Sequence, residues 1–167
     1  MTHDDLTSKL NYCPLTGVFT WKVKPSRQIR LGAIAGTLDS DGYRKIKVCG
    51  KVVHSHRLAW FYVFGYMPEK EIDHINRVKD DNRIDNLREA TRSENAKNKE
   101  KSSANKSGYK GVSFQVKAQK WFAHIRISGK NKHLGCFDSP LRASLAYRLA
   151  SHFYLGEFFA GNRRRKP

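Results

Sequence analysis

Residues 71–95, "EIDHINRVKDDNRIDNLREATRSEN", bring one histidine and several asparagines together among many charges. His74 is the natural general base of this stretch, because a neutral imidazole can take a proton near pH 7. Asn86, twelve residues later, offers an oxygen that could hold the ring in one orientation. A base of this kind can remove a proton from the water that attacks a phosphodiester bond.

Oxygen-bearing side chains lie on either side of this pair. Asp73 supplies a carboxylate and Asn95 a side-chain carbonyl, a donor set that suits one Mg²⁺ or Mn²⁺ ion. Such an ion would neutralise charge on the leaving oxygen of a phosphodiester. Taken singly, each residue is more often structural: a buried or solvent-facing histidine, a turn asparagine, an exposed helical asparagine. The order and spacing of the four favour a catalytic site.

The elements that must position these side chains are two strands and a helix. "TRSE" (91–94) is a capping box, which predicts a helix beginning at Thr91 and carrying Asn95 and Asn98 one turn apart. "EIDHI" and "RIDNLR" are strand-like and are joined by the turn-rich "NRVKDDN", in which we interpret Asn82 as a turn residue. Because neighbouring strand residues point to opposite faces, Asp73 and His74 share a site only if their strand bends.

The strand–loop–strand–helix pattern with Asp73-His74, Asn86 and Asn95 resembles the HNH nucleases, and in its spacing the phage and intron-encoded homing endonucleases of that family. The resemblance implies a ββα-metal core in which His74 is the base, Asn86 its orienting partner, and Asp73 and Asn95 the metal ligands. The cysteine pairs of zinc-containing relatives are missing, so no structural zinc is expected. Three further residues are expected to support the site, with packing as the alternative for the histidine: His56, Arg57 and Asn98.

Charge is the strongest global feature of the chain. The net charge is +17, with 18 Lys and Arg against 13 Asp and Glu in residues 1–100, and 14 against 2 in residues 101–167. A basic balance of this size favours a polyanionic partner, and nucleic acid most of all. No stretch approaches the ~18 apolar residues of a membrane span, and the polar N-terminus is no secretory signal. We expect a cytoplasmic protein, in the bacterial host if phage-encoded, that engages no membrane and no small-molecule substrate.

The C-terminal third predicts three strands, near 109–117, 120–128 and 131–137, with a turn at 128–131, followed by a helix over 139–156. Ser139 is the expected N-cap and Pro140 the first helical residue. Leu141, Leu145, Ala146, Leu149 and Phe153 form an apolar stripe that predicts the buried face of this helix.

"YKGV", "WFAHIRI" and "HLGCFDSPLRASLAY" in this region resemble an Apetala2-type DNA-binding domain. The resemblance implies a sheet that lies in the major groove of duplex DNA. The outward side chains that it implies as DNA contacts are Lys110, Gln115, Lys117, Lys120, Arg126, Lys130 and Lys132. The alternative is a structural sheet with a solvated basic face. Serine, glutamine and lysine stand where that family has arginines on its first strand, which favours backbone contacts over base recognition.

The expected fold class is therefore α+β. It comprises N-terminal β-hairpins with the ββα-metal core in 1–98 (motif about 52–98), a linker at 99–107, a three-stranded antiparallel sheet packed on one helix in 108–159, and a basic tail at 160–167. The function that these features favour is that of a metal-dependent HNH endonuclease, of the phage homing type, which cuts or nicks duplex DNA as a monomer. Two alternatives stay open: a sequence-specific DNA-binding protein with an inactive HNH site, and a ribonuclease or RNA-binding protein.

Overall fold

The computed structural model describes residues 1–98 and 105–156. The chain divides into two compact units, Met1–Asn95 and Ala96–Pro167. The predicted linker at 99–107 lies largely outside the described residues, and the predicted basic tail at 160–167 lies entirely outside them. In the described part of the chain, no helix combines the length and the apolar character that crossing a membrane requires.

The first unit is built from short antiparallel sheets and helices. Its elements in chain order are α1 (His3–Lys9), β1 (Leu10–Cys13), β2 (Val18–Trp21), β3 (Thr37–Leu38), β4 (Arg44–Val48), β5 (Lys51–His54), α2 (Ser55–Phe64), β6 (Glu71–His74), β7 (Leu87–Ala90) and α3 (Arg92–Asn98), the last of which runs across the unit boundary. The sheets are β1-β2, β3-β4-β5 and β6-β7. The mixed α and β fold class predicted from the sequence is confirmed.

Alternation along the strands builds the core of this unit. Ile46 and Val48 on β4 point inward, while Lys47 between them is exposed, as the period-two pattern predicts. The largest fully buried apolar side chains are Leu6, Leu10, Phe19, Ile46 and Leu58. Burial of each such side chain contributes about 1.5–3 kcal/mol relative to exposure.

Two helix ends follow simple local rules. α2 ends at Gly65, whose φ of 78° is the left-handed conformation that glycine adopts without strain. α1 was not predicted, although Thr2 and Asp5 form a reciprocal capping box at its start. The sequence signal for α1 was this Thr-x-x-Asp spacing, within a segment that sequence analysis treated only as polar.

The second unit contains a three-stranded antiparallel sheet and one helix. Its elements are β8 (Val112–Gln115), β9 (Lys120–Ile127), β10 (Lys130–Phe137) and α4 (Pro140–Leu155), with strand order β10-β9-β8. Ser139 caps α4, and its side chain accepts a hydrogen bond from the Arg142 amide at 3.2 Å. This architecture and this cap agree with the prediction.

The buried face of α4 differs from the predicted stripe. Leu141, Leu145, Leu149 and Phe153 are exposed, whereas Ala143, Ser144, Tyr147, Ser151 and Leu155 are the buried residues of the helix. The reason is close packing of the Tyr147 ring on the backbone of Gly111, where a Cβ atom would lie 2.1 Å from the ring. The prediction that the large apolar stripe forms the core of this unit is therefore wrong.

Candidate functional site

Strands β6 and β7 with helix α3 form the strand–strand–helix unit predicted around His74. The capping box is confirmed: the Thr91 amide donates to Glu94 Oε2 at 2.8 Å, and the Glu94 amide donates to Thr91 Oγ1 at 3.3 Å. Asn86 is not on the second strand as predicted, because Ile84–Asn86 forms one 3₁₀ turn that precedes β7. Asn95 lies on α3 as expected.

The ring of His74 is oriented by Asn82, the residue interpreted from sequence as a turn former. Asn82 Oδ1 lies 3.2 Å from His74 Nε2, and both residues are buried. Asn82 Nδ2 donates to the Asp80 carbonyl oxygen at 3.2 Å, which fixes the amide so that its oxygen faces the imidazole. His74 therefore donates through Nε2–H, and in the neutral ring Nδ1 carries the lone pair that can accept a proton.

The side chain of Asn86 bonds to the backbone of the loop that precedes it, and not to the His74 ring. Its Oδ1 accepts a hydrogen bond from the Asn76 amide at 2.9 Å, and its Nδ2 donates to the Asp81 carbonyl at 2.7 Å. These two bonds tie together the ends of the loop that carries Asn82. The orienting hydrogen bond predicted for Asn86 is thus made by Asn82, four residues earlier.

Remote parts of the first unit hold Asn82 in place. The Tyr12 hydroxyl donates to the Asn82 carbonyl at 2.7 Å. Gly17 packs so closely that a Cβ atom there would lie 2.5 Å from the Asn82 carbonyl carbon. Arg44 binds Asp80 through two hydrogen bonds of 2.9 and 2.8 Å. Contacts from β1, the β1–β2 turn and β4 therefore set the position of the His74 partner.

Aromatic rings surround His74 on its other sides. The His56 ring meets it edge to face at a centroid distance of 5.1 Å, and Tyr43 lies at 6.0 Å. His54 stacks on His56 at 5.2 Å. Burial lowers the pKa of His74 below its ordinary value, against smaller opposing effects of Asn82 and Asp73. A lowered pKa keeps the imidazole neutral at pH 7, the form that a general base requires.

His56, predicted as a supporting residue, is a packing partner of His74. Burial, together with the neighbouring His74 and His54, lowers the pKa of His56 to about 3. Its Nδ1 is buried and has no hydrogen-bond partner among the described residues. A neutral ring here contacts His74 without placing a positive charge beside it.

The buried histidines predict a pH-dependent stability. Because the folded pKa of His56 is about 3, below the ordinary 6.5, the unfolded chain takes up the proton first. The contribution of the neutral ring is complete above about pH 6.5 and is lost as the pH falls towards 3. We expect this one ring to lower the free energy of unfolding by about 1.5 kcal/mol between about pH 6.5 and 5.

Chemical denaturation of the wild type and of His56→Phe at these two pH values measures the difference. Phenylalanine keeps a ring in the site but cannot take up a proton, so the variant should lose less stability on acidification. An identical pH dependence in both proteins would contradict the assignment. The range above about pH 5 avoids most carboxylate titration.

Arg57 and Asn98 are the other supporting candidates. Arg57 donates to the Pro68 carbonyl at 2.6 Å and to the Lys70 carbonyl at 3.2 Å, and so fixes the segment that leads into β6. Asn98 is buried near the end of α3. Arg57 is therefore placed to position β6.

The predicted metal ligands lie among other polar partners. Asp73 Oδ2 accepts from Arg88 Nε at 2.9 Å and lies 2.8 Å from Arg88 Nη2. Asn95 Nδ2 donates to Glu71 Oε2 at 2.6 Å. Asp73, Asn95 and Glu71 are all oxygen donors, the chemistry that a hard divalent cation requires. Within residues 1–98 and 105–156, no group of three or more His, Cys, Asp or Glu side chains has metal-binding geometry.

Strand β6 has no β-bulge or register shift between Asp73 and His74. Its pairing with β7 runs in continuous register from Glu71 opposite Ala90 to His74 opposite Leu87. By the alternation of a regular strand, Asp73 and His74 point to opposite faces of the two-stranded sheet. The oxygen donors and His74 can therefore contact the same substrate only if that substrate lies at the end of β6, where the strand ends at His74.

The second unit presents two different faces of its sheet. Cross-strand partners share a face, and Lys132 pairs with Ile125 while Lys130 pairs with Ile127. Ile125 packs on α4 together with Tyr147 and Leu155, so both lysines belong to the helix-side face. The Lys132 ammonium indeed donates to the Tyr154 hydroxyl on α4 at 2.6 Å.

The outer face carries the other predicted strand residues. Gln115 pairs with Lys120 on that face, and Arg126 pairs there with Asn131. Lys120 forms an ion pair with Asp138. Lys110 and Lys117 lie in the turns on either side of β8. Lys130 and Lys132 were predicted from the sequence to face outward, and the structure places both on the helix-side face instead.

The remaining side chains of the outer face were not predicted from the sequence. His124 stands opposite His133, and the Phe122 ring lies 5.1 Å from the His133 ring. Cys136 Sγ lies 3.5 Å from His133 Nε2. Alternation from Arg126 backwards along β9 was the signal that could have found Phe122 and His124.

Comparison with known proteins bears on the first unit. No curated protein matches the chain. The chain is similar to the solved structure "DNA binding and cleavage by the HNH homing endonuclease I-HmuI", with 22% identity over 89% of this chain and 78% of that one, at a TM-score of 0.40. Residues 53–97, which contain His74, Asn82 and both predicted metal ligands, match the family model of HNH endonucleases.

Proposed function

We propose that the chain is a metal-dependent endonuclease that hydrolyses phosphodiester bonds of duplex DNA at the His74 site. One observation carries the proposal: the segment similar to HNH endonucleases contains a buried, neutral histidine whose ring is fixed by Asn82. The net charge of +17 supports a polyanionic substrate. A homing-type role and a phage origin rest on the sequence resemblance alone.

His74 would act as the general base. Its Nε2–H is held by Asn82, so a water molecule would give its proton to Nδ1 while the hydroxide attacks phosphorus. The surrounding rings of His56 and Tyr43 restrict tilting of the imidazole. The protein's contribution is to keep one nitrogen basic and aimed in one direction.

Asp73 and Asn95, with Glu71 as a third oxygen donor, would hold the divalent cation, Mg²⁺ or Mn²⁺. The ion would supply charge stabilisation for the leaving oxygen. Arg88, which binds Asp73, adds a second positive group beside the same carboxylate. A scissile phosphate would lie at the end of β6, where it can approach both His74 on one face and the oxygen donors on the other.

The second unit would hold duplex DNA through the outer face of its sheet, in the manner of an Apetala2-type domain. Arg126 and Lys130 provide a matched pair of exposed cations on opposite faces. We expect Arg126→Gln to weaken duplex binding several-fold and to lower the salt slope of log K by about 0.9. Lys130→Gln should bind like the wild type.

Titration of a fluorescent duplex at several salt concentrations, with EDTA present, compares these two variants. EDTA prevents cleavage, so that only binding is measured. A loss of affinity in Lys130→Gln as large as in Arg126→Gln would contradict the assignment of the outer face.

Incubation of supercoiled plasmid with the protein in Mg²⁺, Mn²⁺ or EDTA tests the function itself. We expect nicked or linear product in at least one metal and none in EDTA. A monomer with one site should give nicks first. Uncut plasmid in both metals, together with tight duplex binding, would support the alternative of a DNA-binding protein with an inactive site.

A further inference from the structure

A groove of about 930 Å³ lies in the first unit, away from the HNH motif. Residues of β2, of the segment after it and of β4 line the groove. Its apolar lining includes Trp21, Ile29 and Val48. The cationic side chains of the lining are Lys9, Lys24, Arg30, Lys45 and Lys47, and we call this feature the basic groove.

The charge of the basic groove is of one sign. No aspartate or glutamate is among the lining residues. Only Lys45 has a carboxylate partner in the described part of the chain, Asp39 at 2.9 Å. Lys24, Arg30 and Lys47 are exposed and form no ion pair with any described residue. Unpaired like charges around one concave surface repel one another. An anion that binds among them is attracted to each and offsets this repulsion.

We propose that the basic groove binds the sugar–phosphate backbone of duplex DNA, as a second contact surface separate from the sheet of the other unit. This inference rests on the proposed function. Several separate cations lining an extended groove suit a chain of phosphates better than one small anion. Lysine, which predominates in the lining, makes point-charge contacts that read no sequence.

The basic groove also has a structural connection to the catalytic site. Lys45, at one side of the groove, pairs across β4 and β5 with His54. The His54 ring stacks on His56, and His56 contacts His74. A DNA backbone in the groove would therefore be held by the same three-stranded sheet that carries His54, which stacks on the ring beside the base. The groove would anchor the substrate within the cutting unit itself.

A double substitution with a matched control tests this proposal in the full chain. The test variant is Lys24→Gln with Lys47→Gln, which removes two unpaired groove cations. The control is Lys22→Gln with Lys51→Gln, which removes two exposed lysines near the same strands that do not line the groove. Duplex binding is measured in EDTA over a range of salt, and plasmid cleavage is measured separately in Mg²⁺ and Mn²⁺.

We expect the test variant to bind several-fold more weakly and to lower the salt slope by about 1.8, since each lost phosphate contact removes about 0.9. The control should keep the wild-type slope. Equal affinities and slopes in the two double variants would overturn the proposal, as would a wild type that binds no duplex DNA. A wild type that binds but does not cut would defeat the nuclease function while the binding comparison still decides on the groove.

Discussion

His74→Ala should lower the rate of plasmid cleavage about 10²–10⁴-fold, because it removes the proposed general base. Duplex binding should stay close to wild type, since His74 is buried and the proposed DNA contacts lie elsewhere. The measurement is the initial nicking rate in Mg²⁺ and Mn²⁺, together with affinity in EDTA.

His54→Ala is the matched control for this prediction. His54 belongs to the same group of rings but is only half-buried and stacks on His56. Its loss should lower the rate far less than the loss of His74. Alanine at 74 leaves the buried Asn82 oxygen without its ring partner, at a cost of about 1–3 kcal/mol in stability. Thermal unfolding of each variant therefore has to confirm a folded protein at the assay temperature. Cleavage by folded His74→Ala at the wild-type rate would remove this histidine from the mechanism.

Asn82→Ala should lower kcat by about 10–100-fold, by analogy with the outer hydrogen-bond partners that orient histidines at metal sites. KM should change little, because Asn82 is 1% exposed and cannot touch DNA. The imidazole would lose the acceptor that fixes its Nε2–H, so the two neutral tautomers and several tilts would become populated. The midpoint of the pH–rate profile should therefore differ between the variant and the wild type. Loss of a purely structural residue would not shift this midpoint.

Asn86→Ala tests which asparagine orients His74. The sequence predicts Asn86, whereas the structure places Asn82 against the ring. The Asn86 side chain bonds the Asn76 amide and the Asp81 carbonyl, so its loss should cost about 1–3 kcal/mol in stability. Its kcat, measured well below the unfolding temperature, should fall less than that of Asn82→Ala. The reverse order of the two kcat values would return the orienting role to Asn86.

Local patterns predicted the features whose contacts lie within a few residues. Thr91 and Glu94 satisfy each other across one helical turn, and Ser139 caps the amide of Arg142. Such contacts are determined by the chain immediately around them, so sequence alone suffices to place them.

The partner of His74 could not be found in this way. Asn82 and Asn86 are both asparagines within the same turn-rich segment, and nothing near them in sequence decides between them. Tyr12 and the Arg44–Asp80 pair decide, by setting the path of the loop from far along the chain. The choice between two equivalent local candidates was made by tertiary contacts.

The hairpin turn between β9 and β10 sets the face on which Lys130 and Lys132 lie. The turn predicted at 128–131 is centred on Ser128 and Gly129, whose φ values of 47° and 79° are both positive, as in a tight two-residue hairpin. Strand β10 therefore begins at Lys130, one residue earlier than predicted. Side chains alternate with a period of two, so the register of the turn alone determines the face on which each lysine lies.

The contacts from Tyr12, Gly17 and Arg44 have a consequence for exchange of this domain between proteins. A recombination crossover near residue 50 would transfer the whole segment that matches HNH endonucleases, 53–97, yet would leave all three of these residues behind. The transferred segment would carry His74 and Asn82 but not the contacts from Tyr12, Gly17 and Arg44 that fix the loop of Asn82. Recombination that is to transfer a complete site must therefore include the chain from β1 onward, and not the motif alone.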